Sequence, residues 1–215
     1  GKEYLPTEAD KLPEEPLRLA IGMYGGNIDF YDIKGVADAL LKTVRIYDCD
    51  YVRTSDSDAF DEASAFHPGR SAVILKDGKA IGILGEIHPD VAENYGIEVK
   101  VYAAKLNVPE MLKLSEKEVT YKPMPKFPAT TRDLSLICDD NLPAASIEKA
   151  IKKAAGKVLE KVTLFDVYKG KQIEEGKKSI SYSISMRSHD GTLTDEQADS
   201  VMKKVLKALK DIGTD

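Results

Sequence analysis

Ser179 to Arg187 reads S-I-S-Y-S-I-S-M-R, an unbroken alternation of small polar and large apolar residues. Side chains alternate between the faces of a strand, so a period of two predicts one covered face and one wet face. Ile180, Tyr182, Ile184 and Met186 belong on the covered face, and Ser179, Ser181, Ser183, Ser185 and Arg187 on the open one. Arg132 to Cys138 and Val162 to Tyr168 read as further strands. Pro143 to Ala155 places Ile147, Ala150, Ile151 and Ala154 on one helical face. Thr194-Asp195-Glu196-Gln197 is a capping box. It opens a helix whose Ala198, Val201, Met202, Val205, Leu206 and Leu209 form an apolar stripe. The order is β-α-β-β-α, one strand short of a ferredoxin-like β-α-β-β-α-β unit.

Helices on one side of such a sheet leave the other side to solvent. In the second strand Phe165 and Val167 suit the core, which turns Leu164, Asp166 and Tyr168 outward. In the first, Leu134 and Leu136 suit the core, leaving Asp133, Ser135 and Ile137 outward. The predicted open face is therefore a field of small hydroxyls with an aromatic ring, acids and an arginine. Small residues let a ligand approach the backbone closely. An exposed tyrosine is a stacking platform for an unpaired base, and carboxylates accept hydrogen bonds from base edges. This chemistry suits a single-stranded RNA loop. A merely solvated face is the plainer alternative.

Upstream, Leu17 to Tyr24 reads as a strand. Ile33, Val36, Ala37, Leu40, Leu41 and Val44 then predict an amphipathic helix, with Asp32 as its N-cap. Strands follow near Tyr51 to Thr54, at Ser71 to Leu75, at Ala80 to Ile87 and at Val99 to Leu106. Asp77-Gly78 between two apolar runs signals a hairpin. An antiparallel sheet with few helices is the expectation. Pro123, Pro125 and Pro128 mark an extended connector, because proline removes a donor and biases its neighbour away from helix. The expected division is a first domain at 1–115, a linker at 116–128 and a second domain at 129–215.

The 215 residues carry a net charge of −5, which hides an asymmetry. From Lys122 onward the formal charge is +3, and before it −8. A basic half weakly favours an anionic partner. No apolar stretch approaches the roughly 18 residues of a membrane helix. Cys49 and Cys138 lie in different segments and read as buried free thiols. The scattered histidines and the lack of a Cys-x-x-Cys pair give no support to zinc.

His67 and His88 each precede a proline at the end of an apolar run and read as turn residues. Catalysis by them would require nearby acids to converge on them. Arg53 and Arg70 read as structural ion pairs. No G-x-G-x-x-G or Walker pattern is present, so no nucleotide site is expected. A metabolite-binding regulatory domain is a further possibility for the ferredoxin-like unit, since that fold hosts many functions.

The second domain resembles the ferredoxin-fold anticodon-binding domain of phenylalanyl-tRNA synthetases. The likeness is carried by FPATTRDLSLI (127–137), LFDVYKG (164–170), KKSISYSISMRS (177–188) and TLTDEQ (192–197), in the family's order and spacing. The first domain resembles the synthetase-like domain of the β subunit, through LPEEPLRLAIGMYG, DFYDIKGVADALL, FHPGRSAVI and IGILGEIHP. The resemblance implies an α+β C-terminal fragment of the bacterial β subunit. It would comprise a partial class II synthetase-like antiparallel sheet domain, catalytically silent, and a ferredoxin-like domain. It implies no cofactor in this fragment, with ATP and Mg used by the parent enzyme. It also implies the tRNA(Phe) anticodon stem-loop and the α subunit as partners in a cytoplasmic α2β2 assembly, with no membrane. Carried over position by position, the anticodon-facing residues are Ser135, Asp166, Tyr168 and Ser179. Beside that carry-over, basic residues such as Lys169, Lys177 and Lys178 are expected to contact phosphates, and Arg187 on the open face is expected to join the RNA contacts.

Overall fold

The structure, a computed structural model, describes residues 1–8, 10–116, 118–121, 123–188 and 190–214. Lys117 and Lys122 of the expected linker, and the third histidine, His189, lie outside the described residues. The chain divides into two compact units, Gly1–Thr120 and Tyr121–Asp215.

The first unit contains β1 (Arg18–Tyr24), α1 (Phe30–Thr43), β2 (Asp50–Arg53), β3 (Phe66–Lys76), β4 (Lys79–Ile87), α2 (Pro89–Asn94), β5 (Val101–Asn107) and α3 (Val108–Leu114). The strands form an antiparallel sheet in the order β1-β5-β4-β3-β2. Asp77 and Gly78 both take positive φ, 50° and 76°, as a type I′ hairpin between β3 and β4 demands. The N-cap of α1 is Asp29 rather than Asp32. The Asp29 carboxylate accepts from the amides of Tyr31 and Asp32, and Asp32 reaches back to the Asp29 amide. Two acids three apart are interchangeable as cap candidates on paper; the turn that places Asp29 in extended conformation decides between them. The short helices α2 and α3, which periodicity does not predict, carry Pro89 and Pro109 as first and second residue respectively and are capped by His88 and Asn107.

Both faces of this sheet are covered. Ile74, Leu84, Ala104 and Leu106 pack against Ile33, Ala37 and Leu41 of α1. Val73 and Ile83, on the opposite face, pack with Phe66, Val52, Phe60 and Ala63.

The second unit contains β6 (Thr130–Asp139), α4 (Ala144–Ala155), β7 (Leu159–Tyr168), β8 (Lys177–Met186) and α5 (Asp195–Lys210). β8 is central, in the order β6-β8-β7. Thr214 bridges Cys138 on the free side of β6, at the place of the last ferredoxin-like strand. Thr194 caps α5 and Gln197 completes the box. Ile147 and Ile151 of α4 and Ala198, Val205 and Leu209 of α5 bury against Leu136, Ile180, Tyr182, Ile184 and Met186. Each such aliphatic side chain contributes about 1.5–3 kcal/mol of burial. Both cysteines are free, Cys49 half-buried and Cys138 buried.

Candidate nucleic-acid interface

With α4 and α5 on one side, strand register arranges the other side of the second sheet into rows. Ile137, Ser179 and Tyr168 align across the strands. Beside them run Ser135, Ser181 and Asp166, then Asp133, Ser183 and Thr163, then Thr131, Ser185 and Lys161. Neighbours within a row are about 4.8 Å apart, and successive rows about 7 Å apart. Ser135, Ser179, Asp166 and Tyr168 thus occupy two adjacent rows at one end of the face. Arg187 follows β8 at the other end.

The phase of β7 differs from strict alternation. Leu164 pairs with buried Tyr182 and packs on the core, so it faces inward, not outward. Phe165, expected inside, is 56% exposed. The reason is a bulge: Leu164 pairs with Tyr182 and Asp166 with Ser181, leaving Phe165 as an extra residue. One inserted residue reverses the faces beyond it. Without it, Asp166 and Tyr168 would share the inward face of Leu164. With it, they stand opposite Ser181 and Ser179 on the open face, and Val167 pairs with buried Ile180. The signal in the sequence is the adjacent apolar pair Leu164-Phe165, which breaks the period of two.

Charges are sorted on this surface. Among the described residues, the side chains of Asp133 and Asp166 have no hydrogen-bond or ion-pair partner. The acids at the rim are paired. Lys169 pairs with Asp140 and holds its carboxyl below the usual range. Lys177 does the same to Glu174 at 2.8 Å. Arg187 Nε donates to Glu160 at 2.9 Å and depresses that carboxyl. Arg187 also donates to the Phe127 carbonyl. Lys178 Nζ donates to the carbonyls of Asp140 and Leu142 at 2.8 and 2.7 Å. The Ser135 and Ser181 hydroxyls share a hydrogen bond of 2.8 Å, which orders them yet leaves acceptor capacity on both. The open face therefore presents hydroxyls, a half-exposed ring and the two uncompensated carboxylates of Asp133 and Asp166, while Lys169, Lys177, Lys178 and Arg187 at its rim are already engaged.

The first unit assembles no comparable array. His67 Nδ1 accepts from the Gly69 amide at 3.1 Å and His88 Nδ1 from the Asp90 amide at 3.3 Å, so each closes its own turn. Arg70 Nη1 donates to both oxygens of Glu86, at 3.0 and 2.9 Å, and Tyr102 Oη donates to Glu86 at 3.1 Å. Arg53, expected in an ion pair, is exposed and forms none among the described residues. A cleft of about 450 Å³ opens above Arg70, Lys100 and Tyr102. Among the described residues no group of three or more His, Cys, Asp or Glu could hold a metal ion, and no helix is long and apolar enough to cross a membrane.

Comparison with known proteins matches each unit to a family. Residues 125–213 match the ferredoxin-fold anticodon binding domain, and residues 1–108 the phenylalanyl tRNA synthetase beta chain CLM domain. Curated relatives named phenylalanine–tRNA ligase beta subunit align over nearly the whole chain. The Clostridium tetani protein is 44% identical over 211 residues, which is 98% of this chain and 26% of the relative. The Clostridium acetobutylicum protein is 40% identical over 213 residues, 99% of this chain and 26% of the relative. The Bacillus subtilis protein is 34% identical over 223 residues, 98% of this chain and 27% of the relative. The chain thus spans about a quarter of the length of these relatives.

Proposed function

This chain belongs to the family of phenylalanine–tRNA ligase β subunits, and from that premise we propose that its second unit grips the anticodon stem-loop of tRNA(Phe) through the open sheet face. The observation that carries the reading is the pair of adjacent rows holding Tyr168 with Ser179 and Asp166 with Ser135. Tyr168 stacks an unpaired base. Asp166, free of any cation among the described residues, accepts from the donors of a base edge, and the serines add short polar contacts. Lys169 and Arg187 take a supporting part, since Asp140 and Glu160 already hold them.

The first unit serves as a non-catalytic scaffold for the α subunit in an α2β2 assembly, where ATP and Mg drive joining of phenylalanine to tRNA elsewhere. Its histidines are spent on turns, and exposed Tyr24, Tyr31 and Leu112 are the apolar side chains such a contact would cover. A free-standing metabolite-binding role lacks comparable support, because both units match one synthetase family.

The test titrates the anticodon stem-loop against the full-length enzyme and its Tyr168→Ala variant. A lost base stack of about 1–3 kcal/mol weakens binding roughly 5- to 150-fold. Equal affinities would reject the stacking role.

A further inference from the structure

Tyr168 leans over the turn that follows it. A Cβ built on Gly170 would fall onto the Tyr168 hydroxyl, 2.6 Å from Cζ and 3.2 Å from Cε1. Any side chain at position 170 and the ring in its present place exclude each other. Backbone freedom is not the reason for this glycine, because Gly170 lies outside the left-handed region, unlike Gly176 with φ of 83°. What Gly170 supplies is empty space.

The turn around it is tied down. Ile173 N donates to the Gly170 carbonyl at 2.9 Å, and Asp140 N donates to the Gly176 carbonyl at 2.8 Å. The Lys169–Asp140 ion pair and the Lys178 bonds to the Asp140 and Leu142 carbonyls join the same two loops. Against a backbone held at both ends, the end of a side chain is the part that yields. A methyl group at 170 therefore moves the Tyr168 ring at little cost to the fold.

We propose that Gly170 is a positioning residue: by carrying no side chain it leaves the notch in which the Tyr168 ring lies, with the Lys169–Asp140 pair tying the turn to the loop after β6. This rests on the reading that Tyr168 stacks an anticodon base. A ring held in its binding pose before RNA arrives loses less freedom on association.

The experiment compares Gly170→Ala, Tyr168→Ala and the double variant in the full-length enzyme. Gly170→Ala is expected to keep the thermal midpoint of the parent and to lose a large part of the stem-loop affinity that Tyr168→Ala loses. The double variant is expected to bind no worse than Tyr168→Ala, because the notch has no purpose without the ring. Parent-like binding by Gly170→Ala, or losses that simply add, would overturn the proposal. Site-resolved nitration by tetranitromethane reads the ring without RNA: Tyr168 should change its reactivity in Gly170→Ala, and unchanged reactivity overturns the notch. Should Tyr168→Ala bind like the parent while nitration still changes, the stacking reading fails and the geometric role of Gly170 survives. Lys169→Ala, which loosens the turn without adding an atom, gives the nitration test a second variant and should shift reactivity in the same way.

Discussion

The two sheets of this molecule are built from similar strands but face different surroundings. In the first unit both faces are covered, and Ile81 to Glu86 in β4 is buried at every position. In the second, α4 and α5 cover one face only, so β8 alternates serine with large apolar residues. A two-sided sheet admits a polar group only when it is fully paired, as Glu86 is by Arg70 and Tyr102. A one-sided sheet can keep a polar group unpaired in water, where a ligand can use it, as with Asp166. Binding chemistry in this chain is legible where solvent was left in the design.

The largest effects test that contrast directly. In β4, Ile83 and Leu84 are neighbours on opposite faces and both fully buried. Ile83→Ala and Leu84→Ala should each destabilise by about 2–5 kcal/mol. In β8, Ile184→Ala should cost a similar amount, whereas Ser183→Ala should stay within about 0.5 kcal/mol. Urea unfolding of the four variants measures this. A costly Ser183→Ala would mean that the open face is covered, and the comparison would collapse.

A smaller effect separates the paired Glu86 of the first unit from the unpaired Asp166 of the second. Burial works against ionisation of Glu86, but the hydrogen bonds from Arg70 and Tyr102 outweigh it and hold the carboxyl below its usual 4.5. A depressed carboxyl stabilises the fold above the unfolded value and loses that contribution as pH falls through the folded one. The stability difference between the parent and Glu86→Gln should therefore be constant above about pH 5 and shrink as the pH drops below that. Asp166→Asn should act instead on stem-loop affinity. Parallel acid profiles for the parent and Glu86→Gln would remove the special standing of Glu86.

Much of this was readable from residues alone, for reasons that can be named. The order of elements in the second unit followed from a clean change of period between β8 and α5 and from the Thr194 box. Strict alternation places Asp166 and Tyr168 on the open face but puts Leu164 there too. The bulge at Phe165 corrects the phase; the apolar pair Leu164-Phe165 marks the break in period, but which of the two is the extra residue is decided by pairing with β8. Gly170 gave no sign of its purpose, since a glycine after a strand reads as a turn. Lys169 and Arg187 were visible as charges, but their partners were not. Glu160 lies 27 residues from Arg187, and only the fold brings them together.

That last pair sets the smallest expected effect and the finest test of how the open face is organised. Arg187 and Glu160 are partly exposed, and solvent screening keeps such pairs weak. If Arg187 is a clamp at the far end of the sheet, Arg187→Ala should lower stability slightly. It should also leave the salt dependence of stem-loop binding unchanged. If Arg187 instead neutralises a phosphate, its loss should reduce the slope of log affinity against log salt by about 0.7. The structure favours the clamp, because the guanidinium already serves both the Glu160 carboxylate and the Phe127 carbonyl. A phosphate there would have to compete with two internal acceptors, while Asp166 and the Tyr168 ring lie rows away at the other end of the face.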